Sequence, residues 1–132
     1  MSTLQVTTIQ SNAAATPPVI RDSAGTEVGQ LCRAWVNFNG TGTIGQNQTI
    51  RSSFNVSSVS KSGSGDYTVN FTNSFSDANY CVTTALDTSG GSTSTSPMLV
   101  TNFASGSVRV FSRNGTAGSF YDQTFVGVSI FR

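Results

Sequence analysis

The chain has 132 residues and a mass of 13.8 kDa, so the expectation is one domain of ~100–150 residues with a short tail rather than a multidomain enzyme. Apolar residues make up 36% and charged residues 10%, against norms of ~45–50% and ~25%, and the sequence holds 21 Ser, 18 Thr, 13 Gly and 10 Asn. A net charge of +1, carried on seven singly scattered basic residues, provides no field for nucleic acid or for an anionic membrane, and nine Phe, three Tyr and one Trp exclude a disordered chain.

The first thirty residues read differently from the rest. Leu4, Val6 and Ile9 belong to a short alternating run that suits a strand, and Ser11 to Pro18 forms a linker in which two prolines stop regular hydrogen bonding. Val19 to Arg21 is a weak extended piece followed by a turn at Asp22-Ser23-Ala24-Gly25. With so few large apolar side chains this stretch cannot bury itself, and residues 1–30 are expected to be an anchoring arm and linker that docks on a partner.

From Leu31 the pattern is regular, and 31–132 is expected to form one β domain. Thirteen Val and five Ile against four Leu favour strands, since β-branched side chains pack well on a pleated surface. Strands are expected near 31–38, 48–59, 66–72, 79–86, 97–103, 107–113 and 120–131, with turn clusters rich in Gly, Asn, Asp and Ser between them. The fold class is therefore all-β: an antiparallel sandwich of about seven to eight strands with an extended N-terminal arm. In the last strand Val126, Val128 and Ile130 share one face, while Phe125 and Phe131 lie on the other. Either the strand is central with a twisted end or its second face meets another subunit. Trp35 and Phe38 are read as core or interface anchors, with a ligand platform as the alternative for Trp35.

Cys32 alternates with Ala34, Val36 and Phe38 and reads as a small core residue; Cys32 and Cys81 are expected to be free thiols, with pairing across strands as the alternative. No stretch reaches the ~18 apolar residues of a membrane span, and the N-terminus lacks a signal-peptide pattern, so synthesis in a cytosol is expected. The Asn-x-Ser/Thr triplets at Asn39, Asn47, Asn55, Asn70 and Asn114 then carry no weight as glycosylation sites.

The run Leu31-Cys32-Arg33-Ala34-Trp35-Val36-Asn37-Phe38-Asn39-Gly40-Thr41-Gly42-Thr43, with Ile50 to Val59, Gly65 to Phe71 and Asp77 to Tyr80, resembles a module of bacteriophage tail fibres and related tail proteins, those of cyanophages among them. The similarity covers about half the chain, roughly Leu31 to Leu86. It implies a virion component of the tail, made in the host cytoplasm, that assembles as a homotrimer with tail or baseplate proteins and meets a host cell-surface glycan or protein. A hydroxyl- and amide-rich composition suits such a virion surface.

Catalysis is not expected. With no histidine in the sequence, Ser-His-Asp and Cys-His arrangements and imidazole zinc sites are excluded, and no catalytic residue, metal ligand or cofactor is assigned. A carboxylate pair acting on a glycoside would have to come from Asp22, Glu27, Asp66, Asp77, Asp87 and Asp122, of which three sit in evident turns. Asp66 and Asp77 read as turn residues whose carboxylates accept local backbone N–H groups. For binding, two loops stand out: the hydroxyl-rich 87–96, and 113–122, where Asn114, Tyr121 and Asp122 combine an amide, an aromatic ring and a carboxylate as a sugar site requires, or as an ordinary hairpin loop would. The expected role is a short tail fibre adhering through loops of a trimeric sandwich. The alternative is a capsid decoration, cement or tail connector protein without receptor binding.

Overall fold

The computed structural model describes residues 8–10, 18–87, 98–113 and 119–132, and the chain divides into two compact units, Met1–Leu31 and Cys32–Arg132. In the first, β1 (Ile20–Arg21) and β2 (Glu27–Gly29) form a short antiparallel hairpin. Its turn is built as the Asp22 motif suggests: Asp22 Oδ1 accepts the backbone N–H groups of Ala24 and Thr26, each at 2.9 Å, and Gly25 takes a positive φ of 84°. Ile9 is 74% exposed outside any regular element, and Leu4 and Val6 lie outside the described residues.

The second unit is a sandwich of two four-stranded antiparallel sheets. One runs in the order β4 (Thr49–Phe54), β3 (Cys32–Asn39), β10 (Val126–Phe131), β7 (Cys81–Leu86). The other runs β5 (Val56–Gly63), β6 (Asp66–Phe71), β9 (Ser107–Ser112), β8 (Met98–Ala104). Alternation decides the faces. Ala34, Val36 and Phe38 of β3 and Val126, Val128 and Ile130 of β10 point inward, against Tyr67, Val69 and Phe71 of β6 and Val108 and Val110 of β9; all are buried. Their partners in sequence, such as Thr68, Asn70, Arg109 and Ser129, face outward and keep the sheets soluble.

Two expected strands differ from the observed ones. The run 48–59 is two strands in different sheets, because Asn55 adopts φ 55° and turns the chain from β4 to β5. Its side chain holds that corner, donating to Arg33 O at 3.1 Å and Asn73 O at 3.2 Å and accepting from Asn73 N at 2.8 Å. Asparagine tolerates this left-handed backbone better than most residues, and the three bonds fix it. The run 120–131 enters the sheet only at Val126; before it, Phe120 makes a single bridge to Arg113 and the chain crosses between sheets.

Register places three of the four longer connections at one end, together with the tight turn 64–65. Asn39, Thr49, Leu86 and Val126 terminate their strands together, as do Gly63, Asp66, Met98 and Ser112 in the other sheet. That end therefore gathers the connections 40–48, 64–65, 87–97 and 113–125. The opposite end holds the Asn55 corner, the segment 72–80, the tight turn at 105–106, Cys32 and Arg132. Here Phe71, Phe75, Tyr80 and Phe103 pack at ring-centroid distances of 4.7–5.9 Å, and Asp77 accepts from Arg132.

Cys32 and Cys81 are both free, each opposite Phe131 on either side of β10. Two strand spacings, roughly 9–10 Å, separate them, beyond the reach of a disulfide. Cys32 is half-buried rather than in the core row, because the register to β10 shifts at this point.

Candidate functional site

The end that gathers three of the four longer connections is organised around one carboxylate. Asp122 Oδ2 accepts from Lys61 Nζ at 2.6 Å, and Oδ1 accepts the Gly65 backbone N–H at 2.7 Å. The Tyr67 hydroxyl lies 3.0 Å from both Asp122 Oδ1 and Gly40 O, and its single proton serves one of them at a time. Lys61 also donates to Gly40 O at 3.0 Å and Gly42 O at 2.7 Å, so its three ammonium donors meet three acceptors while its side chain is only 2% exposed. Burial and the negative charge of Asp122 push the Tyr67 hydroxyl well above the ordinary tyrosine range, leaving it a neutral hydrogen-bonding group.

Glycine at two positions lets these parts meet. A Cβ on Gly40 would lie 2.3 Å from the Tyr67 oxygen and 2.9 Å from Gln123 O, whose carbonyl accepts the Gly40 N–H. Gly65, at φ 60°, would place a Cβ 2.4 Å from Ser112 O. The 40–42 segment, the 64–65 turn and the connection before β10 are thus tied together by Asp122, Lys61 and close backbone packing.

Asp122, which the sequence offers either as a sugar-site carboxylate or as part of an ordinary hairpin loop, has both its oxygens engaged by Lys61, Gly65 and Tyr67. Tyr121 differs from its neighbour: its backbone N–H donates to Ser112 O at 3.0 Å and its side chain is 46% exposed. Asn114 lies outside the described residues, as do 88–97 of the other loop singled out in the sequence. Phe38 is fully buried and meets Tyr67 edge-on at 5.1 Å, directly beneath the Asp122 cluster. Trp35 is not in the core. It is 36% exposed on the outer face of its sheet, between Phe54 and Ser129, because even-numbered positions of β3 take the inside.

Several residues of this region escape a reading by motif. Lys61 has the parity of Val59, and a strand continued two residues further along β5 would have placed a lysine on the inward face. On the outer face of the same sheet, Arg109 and Phe111 alternate with buried Val108, Val110 and Ser112. Arg109 donates twice to Asp66, at 2.8 and 2.5 Å, so Asp66 is the acceptor of an ion pair rather than of its own turn. Asp77 does accept the Asn79 N–H at 2.7 Å and pairs with Arg132 besides, which holds its carboxyl below the usual range. Among the described residues no three His, Cys, Asp or Glu side chains gather as a metal site requires, and no helix is long and apolar enough to cross a membrane.

No protein-family model matches the sequence, and no curated protein matches it. Among solved structures the fold is similar to the phiAB6 tailspike, crystallised in complex with three-repeated oligosaccharides of Acinetobacter baumannii surface polysaccharide, with a TM-score of 0.51 over 97% of this chain. The identity is 15% and the chain spans 30% of that tailspike's length, so the likeness is one of fold. What stands defined is an all-β sandwich module with three of its four longer connections at one end, folded like part of a phage tailspike.

Proposed function

We propose that this chain is a phage tail protein, a short tail fibre whose residues 1–30 anchor it to tail or baseplate proteins and whose sandwich adheres to a host-surface glycan or protein. One observation carries the reading: three of the four longer connections leave their strands at the end of the sandwich away from Cys32, where the preceding chain enters, and Tyr121 is exposed there. An adhesin needs that polarity, attachment at one end and adaptable loops at the other on a rigid scaffold. Fold likeness to a tailspike solved with surface oligosaccharides supports a tail location and a glycan ligand.

The role is binding without catalysis; Asp66, Asp77 and Asp122 are each held by a cation, which favours structural carboxylates over a free acid/base pair. A homotrimer is part of the proposal, because linking weak sites multiplies them into useful avidity. In its support, Trp35, Phe54 and Phe125 are 36%, 56% and 40% exposed in the sandwich unit, and large aromatic side chains are characteristic of subunit contacts. Virions carrying Tyr121→Ala test the adhesion site. Removing a central aromatic contact should lower adsorption to host cells by about tenfold or more with the protein still folded and incorporated. Unchanged adsorption would refute the loop end as the adhesive surface and favour a decoration, cement or connector protein.

A further inference from the structure

We infer that the outer face of the β5-β6-β9-β8 sheet, along the row Arg109, Phe111, Arg113 and Phe120, holds a carboxylate-bearing sugar of a surface glycan; this rests on the adhesive reading above and specifies its ligand. The row is laid out by β9. Arg109 and Phe111 project outward, Arg113 continues the same parity, and its bridge to Phe120 folds that ring back onto Phe111. The two rings lie 5.1 Å apart with an interplanar angle of 35°, Arg109 stands 4.8 Å from the Phe111 centroid, and Arg113 stands 5.2 Å from that of Phe120. Phe120 is 44% exposed and Leu99, opposite Phe111 on β8, is 40% exposed. Thr68 and Thr101 flank Arg109 across the ladder.

The two arginines differ in one respect that points to a ligand. Arg109 spends its guanidinium on Asp66, a paired charge held in place. Among the described residues Arg113 has no carboxylate partner and its buried Nε has no acceptor. A guanidinium fixed by stacking on an aromatic ring but unmatched in charge is poised for an anion from outside the chain. Its planar fork fits a carboxylate with two parallel hydrogen bonds. The exposed Phe120 ring and Leu99 beside it offer apolar surface to the C–H face of a pyranose ring, and threonine hydroxyls can meet the ring's own hydroxyls. The charge selects an acidic sugar and the rings select a saccharide over a simple anion. Phe120 and Tyr121 are consecutive, so the platform is continuous with the loop end.

The test is binding of the purified full-length chain to an array of oligosaccharides in three matched sets: uronic- and nonulosonic-acid sugars, their carboxyl-reduced counterparts, and phosphate-substituted sugars. Binding should be confined to the carboxylated set, and Arg113→Gln should weaken it by about tenfold, the size expected for a charged hydrogen bond, with an unchanged melting temperature. Phe120→Ala should weaken it too. Binding that is equal on carboxyl-reduced glycans, confined to phosphorylated ones, or indifferent to Arg113→Gln would overturn the acidic-sugar assignment while leaving adhesion standing. Binding to no glycan on any set would overturn the assignment and the glycan half of the adhesive reading, and Tyr121→Ala virions that adsorb unchanged would overturn adhesion itself.

Discussion

Replacing Asp122 by Asn tests how the loop end is held. The amide keeps the shape of the carboxylate and one acceptor oxygen, but removes the charge facing Lys61, whose side chain is 2% exposed and has no other anionic partner among the described residues. Breaking a buried pair from one side costs ~3–5 kcal/mol, because an ammonium stays buried without a counter-charge. Asp122 is itself 29% exposed, so water can approach the cluster and the lower bound applies, about 3 kcal/mol. For a domain near one hundred residues each kcal/mol shifts the melting temperature by ~4 °C or more, which predicts a fall of about 12 °C. Lys61→Met removes the buried charge along with its hydrogen bonds and leaves a carboxylate that can hydrate, so its loss should be smaller, about 1–2 kcal/mol. Thermal unfolding followed by near-ultraviolet circular dichroism measures both. An Asp122→Asn variant melting within 2–3 °C of the parent, or a Lys61→Met variant hit as hard, would refute the view that a buried cation is the group being compensated.

The opposite end of the sandwich yields two further expectations. Asn55→Ala loses three hydrogen bonds and leaves a β-carbon residue at φ 55°, so stability should drop by about 2–3 kcal/mol in urea unfolding with an unchanged slope; a loss under 0.5 kcal/mol would mean the corner forms without its side chain. Asp77 has a depressed carboxyl, because Arg132 and the Asn79 N–H favour its charged form. Its contribution is present above the ordinary value of 3.8 and is lost as pH falls through the lower folded value. Below 3.8 the parent should therefore lose stability on acidification more steeply than Asp77→Asn, and parallel acid titrations of the two would contradict the assignment.

The sequence made the fold class readable because period-two alternation in β3, β6, β9 and β10 survives in the folded protein, with Val36, Val69, Val110 and Val128 all inside. It obscured the corner at Asn55, where apolar and polar residues continue the strand pattern straight through a change of sheet and only the backbone angle marks the break. Asp122 was singled out as chemistry-bearing, but its role depends on Lys61, sixty-one positions away, and no local spacing reveals a contact of that range. Trp35 shows the other limit. A large aromatic in mid-strand suggests burial, yet strand parity, set by Ala34 and Val36, placed it outside. The Arg109-to-Phe120 row was hidden for the converse reason: its polar and aromatic members share one face only because β9 presents them so.

Electron microscopy of virions whose genome encodes the chain, with gold-labelled antibodies raised against the purified protein, tests the central claim most directly. A tail fibre predicts label on the tail, at its distal structures, and displacement of that label by excess soluble chain. Label distributed over the capsid would contradict the account and make this sandwich a decoration protein.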